Sequence, residues 1–417
     1  MKLRKDLSRA VRRGLQRAML FASILGPGLI TASADNDAPG IATYSMAGSR
    51  YGYNFLWIVV WITLGEVVVQ EMAARMGAVT GKGLTDLIRE RFGLRLTFLV
   101  MLGVVLANLG TTAAQFAGVA ASAELFGVSR YIAVPLTATL VYLLVTRGSY
   151  RRVEKVLLAL SMFAVAYVVS AIMLKPDWGE VLRQAAVPQI RLDRDYLLAA
   201  LATVGTTMTP WAAIYMQASV ADKGVDIEHY GHTRADVISG AALGNVVSAF
   251  IIICTAATLY TRGVTVETAE QAAMALAPLA GQWAETLFGV GLIGASILAA
   301  SVLPLATTYA VCEVMGWARG LDTRRADAPA FYGMFTAMIV VSSIVVLIPG
   351  LPLFPLMWLS QVAHSLLLPI VLVVMVVLAS DRLLMGKWRN SRAINIIAGV
   401  LIVVVSVASL ALFWVEA

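Results

Sequence analysis

Long apolar runs separated by short polar segments organise the whole chain. About 20 consecutive apolar residues are enough to cross the hydrocarbon core of a bilayer as a helix. On that basis eleven spanning helices are predicted, at 18–48, 54–74, 96–127, 131–146, 153–174, 196–221, 238–261, 283–317, 329–349, 354–380 and 393–415. Two of these runs are broken near their middle. In the first, Asp35-Asn36-Asp37 is followed at once by Ala38-Pro39-Gly40. Carboxylates at mid-membrane are costly, and Pro-Gly should end a helix there. In the sixth, Gly205-Thr206-Thr207-Met208-Thr209 runs into Pro210. Taking 18–174 (helices one to five) and 196–380 (helices six to ten) as two repeats, the first helix of each is the interrupted one. The run at 393–415 is then an extra eleventh helix, and residues 1–417 form one membrane domain. Paired interruptions of this kind point to the substrate site of a transporter built from inverted repeats.

Charge fixes the expected orientation. With the N-terminus in the cytoplasm, 25 of the 32 Lys and Arg residues fall in cytoplasmic segments and 7 in outer loops. This excess places the C-terminus outside, in a multi-pass protein of the plasma membrane or cell inner membrane. Only 14% of the chain is charged and 59% is hydrophobic, with a mean hydropathy of +0.80. A soluble protein carries about 25% charged residues. The net charge of +7 therefore reads as loops facing anionic lipid, and no nucleic-acid partner is expected. Ala32-Ser33-Ala34 resembles a leader cleavage site, but cleavage there would discard a spanning helix, and Gly26-Pro27-Gly28 interrupts the apolar run. Cys254 and Cys312 suggest neither a disulfide framework nor a metal-ligand spacing. No nucleotide-binding loop and no zinc-type spacing is present, so an enzyme is not expected, and neither is a cofactor. The chain is expected to act as a monomer.

No Lys or Arg lies deep in a predicted span. A buried carboxylate must then be protonated or meet a cation from elsewhere. Asp37 is the leading candidate ligand, the alternative being a simple helix cap. Asp35 and Ala34 lie in the same interrupted stretch, where unwound backbone frees carbonyls for a cation, and Asn36 could orient the acids. Thr206 and Thr209 are three apart, which on a continuous helix shares one face. They could line the site or bond back to backbone carbonyls, with Thr207 the weaker alternate. Gln361 reads as a site residue or as an interhelical hydrogen bond. Glu66, a carboxylate within the second span, reads as part of the ion pathway or as a protonated structural group. Glu71 and Glu313 fall near cytoplasmic ends and read as solvated or structural. His364 reads as structural. The third span offers only the neutral Asn108, Thr111, Thr112 and Gln115 across its middle.

Several longer motifs carry a family likeness. They are Gly26-Pro27-Gly28-Leu29-Ile30, Gln70 with Ala73-Ala74-Arg75-Met76-Gly77-Ala78-Val79-Thr80-Gly81-Lys82-Gly83, Tyr309-Ala310-Val311-Cys312-Glu313 with Gly316-Trp317, and Ser360-Gln361-Val362 with Leu368-Pro369. In these the chain resembles the Nramp family of divalent-metal transporters, and within it the Nramp-related magnesium transporter branch. The resemblance implies an all-α membrane protein of the LeuT type, with two inverted five-helix repeats, broken first and sixth helices and one added helix. It also implies transport of a divalent cation, Mg2+ or Mn2+, as substrate. Typical members carry Asp-Pro-Gly-Asn in the first helix. Laid without gaps from Gly26-Pro27, that motif falls on Asp37, Ala38, Pro39 and Gly40, so Gly40 stands where an asparagine ligand would be. Their Met-Pro-His falls on Thr209, Pro210 and Trp211, the preceding alanine on Thr206 and a second histidine on Met216. The site implied is Asp37, Thr209, Thr206, Asp35, Gly40, Ala34, Gln361 and Glu66. Without the soft thioether it favours hard, oxygen-loving ions, Mg2+ above Mn2+. The proton-coupled Mn2+/Fe2+ symporter is the alternative.

Overall fold

The computed structural model describes residues 36–147, 162–225, 227, 230–318, 320 and 325–415. Asp35, Ala34 and the first half of helix one lie outside the described residues. Eight helical stretches among the described residues are long and apolar enough to cross a membrane, and two shorter apolar helices accompany them. The principal helices are α1 (Ala38–Tyr51), α2 (Leu56–Thr80), α3 (Leu84–Leu125), α4 (Arg130–Thr146), α5 (Val165–Leu174), α6 (Trp178–Ala186), α7 (Arg194–Thr207) and α8 (Pro210–Asp222). They continue with α9 (Tyr230–Thr258), α10 (Ala284–Met315), α11 (Pro329–Val346), α12 (Leu353–Ser380) and α13 (Arg392–Trp414).

Their ends follow from local chemistry. Asp37 caps α1, accepting from the Gly40 amide at 2.9 Å, with Pro39 in the first turn where a missing N–H does no harm. Gly81 and Gly316 end α2 and α10 in the left-handed conformation that lacks a steric penalty only for glycine. The third helix starts earlier than its apolar run, at Leu84, and bends at Gly93 before becoming apolar. Its amphipathic first part precedes the apolar run, and hydropathy alone does not register it. The helix α6 was not expected from the apolar pattern; Asp177 caps it, accepting from Gly179 N at 2.9 Å.

The long α3 is the spine of the bundle, packed along α10 on one side and α12 on the other. The α9 helix covers α1 and α2, α7 lies on α12, and α8 lies on α2. Small residues let these backbones approach. A Cβ on Gly48 would sit 2.6 Å from the Ile252 carbonyl oxygen of α9, and one on Gly77 would sit 2.6 Å from the Gln217 carbonyl oxygen of α8. The apolar surface faces outward as it must in lipid: Leu99, Leu106 and Leu136 are exposed, as are Ile396, Val403 and Val407 on the peripheral α13.

One end of the bundle is tied by a polar cluster. Arg75 is buried, donates from Nε to Glu71 Oε1 at 3.1 Å and from Nη2 to Asn390 Oδ1 at 2.7 Å, and also reaches the Trp388 carbonyl. Tyr230, at the start of α9, donates to the same Glu71 carboxylate at 2.9 Å. Glu71 is therefore structural and well partnered. Glu313 is structural too, holding Thr85 at the start of α3.

Candidate functional site

The α1 helix begins directly after Asp37, whose backbone is extended (φ −76°, ψ −175°), and whose carboxylate is buried. One oxygen accepts from Gly40 N, and the other accepts from the side-chain amide of Gln115 on α3. Gly40 therefore enters the site through its backbone N–H. One turn earlier on α3, Thr111 Oγ1 receives Gln361 Nε2 at 3.4 Å and shares a 2.7 Å hydrogen bond with His364 Nε2. Gln361 also donates to Ser360 Oγ at 2.8 Å. The α7 helix closes the circle, because Gly205 lies so near the Gln361 carbonyl that a Cβ would collide with it. Thr206 follows Gly205 directly and is buried. Asp37, Gln115, Thr111, Gln361 and the end of α7 are thus joined by contacts through the spine helix.

Helix six breaks after Thr207. Met208 leaves the helical region (φ −112°, ψ 60°), and Thr209 is extended and caps α8 without a side-chain hydrogen bond. The break falls between Thr206 and Thr209, which overturns the expectation that they share one face of a continuous helix. Thr209 Oγ1 is buried with no hydrogen-bond partner among the described residues, and Gln115 Oε1 is in the same condition. Buried hydroxyl and amide oxygens left unpaired are costly, and a bound cation is one way to satisfy them. Thr207 is committed elsewhere, donating to the Thr203 carbonyl at 2.8 Å and bonded to Tyr44 Oη at 2.8 Å. Met208 directs its sulfur toward Gly65 on α2.

Glu66 sits in a neighbouring polar layer. Its Oε2 accepts from Asn245 Nδ2 of α9 at 2.5 Å. Asn36 meets the same stretch of α9, donating to the Gly244 carbonyl at 3.2 Å and accepting from Ser248 Oγ at 3.3 Å. Glu66 and Asn36, the residue before Asp37, are thus both bonded to α9. No group of three or more His, Cys, Asp or Glu gathers as a metal cluster among the described residues. The partners of Asp37 are a side-chain amide and a backbone N–H, which the acid-and-histidine patterns used to find soluble metal sites do not detect.

Cavities approach this layer from both ends. One of about 330 Å³ runs from Ile214, a turn beyond the helix-six break, between α8 and α10 to Lys223 and Glu313. Another of about 560 Å³ lies at the opposite end, among Ala121, Arg130, Glu270 and Phe354. Asp37, Gln115, Thr206, Thr209 and Gln361 are buried between them.

Residues 28–415 match the family described as Natural resistance-associated macrophage protein-like, Nramp. The chain belongs to the Nramp family. It is 31% identical over 380 residues to the divalent metal cation transporter MntH of Aeromonas hydrophila, covering 88% of this chain and 89% of that one. It is 29% identical over 404 residues to MntH of Yersinia pestis, covering 94% and 95%. The fold is similar to that of the Eremococcus coleocola manganese transporter, with a TM-score of 0.75 at 21% identity over 94% of this chain and 86% of that one. More distant similarity extends to MhsT, with a TM-score of 0.60 at 17% identity over 93% of this chain and 98% of that one. These are LeuT-type folds, and the chain shares that all-α architecture; its membership of the Nramp family makes it a multi-pass membrane transporter and not an enzyme.

Proposed function

We propose that this Nramp chain carries divalent cations across a cytoplasmic membrane by alternating access, with Mg2+ as the favoured substrate and Mn2+ tolerated. The observation that carries the reading is the set of groups at the start of α1 and at the helix-six break. The buried carboxylate of Asp37 is bonded by Gln115, Gln361 bonds Thr111 one turn away on the same α3 helix, and Thr209 at the helix-six break holds a buried hydroxyl without a hydrogen-bond partner among the described residues. Hard oxygen ligands suit Mg2+, while thioether and imidazole would favour softer ions. The Met208 sulfur, at the helix-six break, packs toward Gly65, and the His364 imidazole bonds Thr111. Asp35 and Ala34 complete the proposed ligand set from the preceding residues, and Thr206 supplies its backbone or hydroxyl. Glu66 contributes negative potential near the pathway. The reading includes a cytoplasmic N-terminus, an outer C-terminus, repeats at 18–174 and 196–380, and a monomer in the bilayer. The test is flux of Mg2+ into proteoliposomes, followed with a Mg2+-sensitive dye; no protein-dependent influx would overturn it. The divalent metal cation transporters among its relatives and the manganese transporter that shares its fold support proton-coupled Mn2+/Fe2+ symport as the second reading.

Selectivity should respond to the residues that depart from the usual motif. Thr209→Met together with Gly40→Asn is expected to strengthen Mn2+ and Cd2+ binding and to weaken Mg2+, because a soft thioether replaces a hydroxyl. Competition of Cd2+ and Mn2+ against Mg2+ uptake measures this, and an unchanged order would place both residues outside the ion site.

Uptake is also expected to run without protons. Across the middle of α3 the side chains Asn108, Thr111, Thr112 and Gln115 are neutral and do not change charge between pH 5 and 8. The drive is then the ion's own gradient and the membrane potential, worth roughly 2.3 kcal/mol per charge per 100 mV. Liposomes holding a pH dye should show Mg2+ influx without matching acidification. Acidification in step with Mg2+ would restore the symporter.

A further inference from the structure

The Gln115 amide has two ends with different fates. Its Nε2 donates to Asp37 Oδ2, while its Oε1, equally buried, has no hydrogen-bond partner among the described residues. An ionised carboxylate only accepts hydrogen bonds, so the NH2 end must face Asp37. In this arrangement the amide hydrogens occupy the position at Asp37 that a cation would claim. The cost is an orphaned amide oxygen in a low-dielectric interior. Gln115 is positioned for this by the spine helix: Gly118, three residues on, lies so close to Ala38 that a Cβ would collide with it, which holds α3 against the start of α1 beside Asp37.

We propose that Gln115 is a reversible stand-in for the substrate cation, and that on ion binding its side-chain amide turns over to present Oε1 as a ligand. This rests on the reading of Asp37 as the ion ligand and adds to it a residue that both stabilises the ion-free site and completes the loaded one. With the site empty, the N–H dipole offsets the Asp37 charge. With a cation on Asp37, the same N–H would point at positive charge, and rotation about the last side-chain bond replaces that repulsion with a hard oxygen donor suited to Mg2+. Both states keep Gln115 neutral, so no proton is moved. The turnover gives the orphaned oxygen a partner in the cation and moves the NH2 end away from Asp37. The empty and loaded sites are thereby brought closer in stability, which helps a carrier return unloaded.

Two substitutions separate this role from a purely structural one. Gln115→Met keeps an unbranched side chain of similar length but replaces both amide ends with a thioether. It is expected to raise the KM for Mg2+ by about 10-fold or more, the scale set by losing an interaction with a charged group. It should also make Cd2+ a stronger competitor, because sulfur is a soft ligand. Gln115→Glu keeps the oxygen and loses the donor. It is expected to lower the KM for Mg2+ and to lower the maximal rate, as the ion is held by a second carboxylate. The experiment is concentration-dependent Mg2+ flux in proteoliposomes for wild type, both variants and Asp37→Asn, with Cd2+ competition and detergent melting curves. Wild-type KM and ion order in both variants would overturn the proposal. So would a fall in maximal rate alone, at unchanged KM and unchanged Cd2+ competition, in both. If Gln115→Met does not fold, the KM of Gln115→Glu decides alone. Absence of wild-type flux, or full flux in Asp37→Asn, would instead overturn the reading of the site on which the proposal stands.

Discussion

Asp37→Asn is expected to abolish divalent-cation flux while the protein remains folded. The two halves of that expectation come from different properties of the same residue. As a cap, Asp37 gives one oxygen to the Gly40 amide at 2.9 Å, and asparagine caps helices about as well as aspartate. The start of α1 should survive, and the melting temperature should change by only a few degrees. As a charge, Asp37 has no Lys or Arg partner among the ion pairs of the described residues, so a substrate cation is its natural counterion. Removing one member of a buried charge pair costs about 3–5 kcal/mol, which is roughly 100-fold or more in affinity. Flux of Mg2+ and Mn2+ in proteoliposomes, measured beside the melting curve, checks both halves. Near-normal flux would mean that the carboxylate is a cap and nothing more.

The break of helix six and the start of α1 were legible in the sequence because their causes are local. Pro39 and Pro210 favour the first turn of a helix over its interior, and polar residues at mid-membrane are rare enough to stand out. The positions of Asp37 and Thr209 at those helix starts follow from the same signals. Gln115 was legible only as a neutral side chain in the third span. Its role depends on meeting a residue 78 positions away, and no local periodicity encodes that meeting. Asn245 was missed for the same reason: its amide finds Glu66 at a separation of 179 residues. Thr206 and Thr209 were placed on one face by helical spacing, and the unwound Met208 between them removes the premise. Arg75 and Glu71 fell at a predicted cytoplasmic edge, where hydropathy cannot distinguish solvated charge from a buried pair closed by a neighbouring loop. Local rules found where the chain unwinds, and tertiary packing decided which neutral groups gather there.

Gly205→Ala is expected to damage both stability and transport, although it adds a single methyl group. In a continuous helix alanine is normally better than glycine by about 1 kcal/mol, so propensity alone predicts a gain. Packing reverses the sign. The new Cβ would overlap the Gln361 carbonyl oxygen and lie 2.9 Å from the Ser365 amide nitrogen, both backbone atoms of α12 that no rotamer change can move aside. The α7 and α12 helices would have to separate, and overpacking of this kind costs about 1–3 kcal/mol, occasionally more. The separation also acts on function, because Thr206 follows Gly205 directly and Gln361 is the residue displaced. A melting temperature several degrees below wild type and Mg2+ uptake reduced by about 10-fold are expected, consistent with a loss of that size. Gly333→Ala on α11 provides the contrast: nothing lies within 4 Å of the position its Cβ would take, so that variant should match or slightly exceed wild-type stability and transport normally. If Gly205→Ala behaves like Gly333→Ala, the close approach of α7 and α12 is dispensable, and the proposed link between Thr206 and Gln361 across the ion site fails with it.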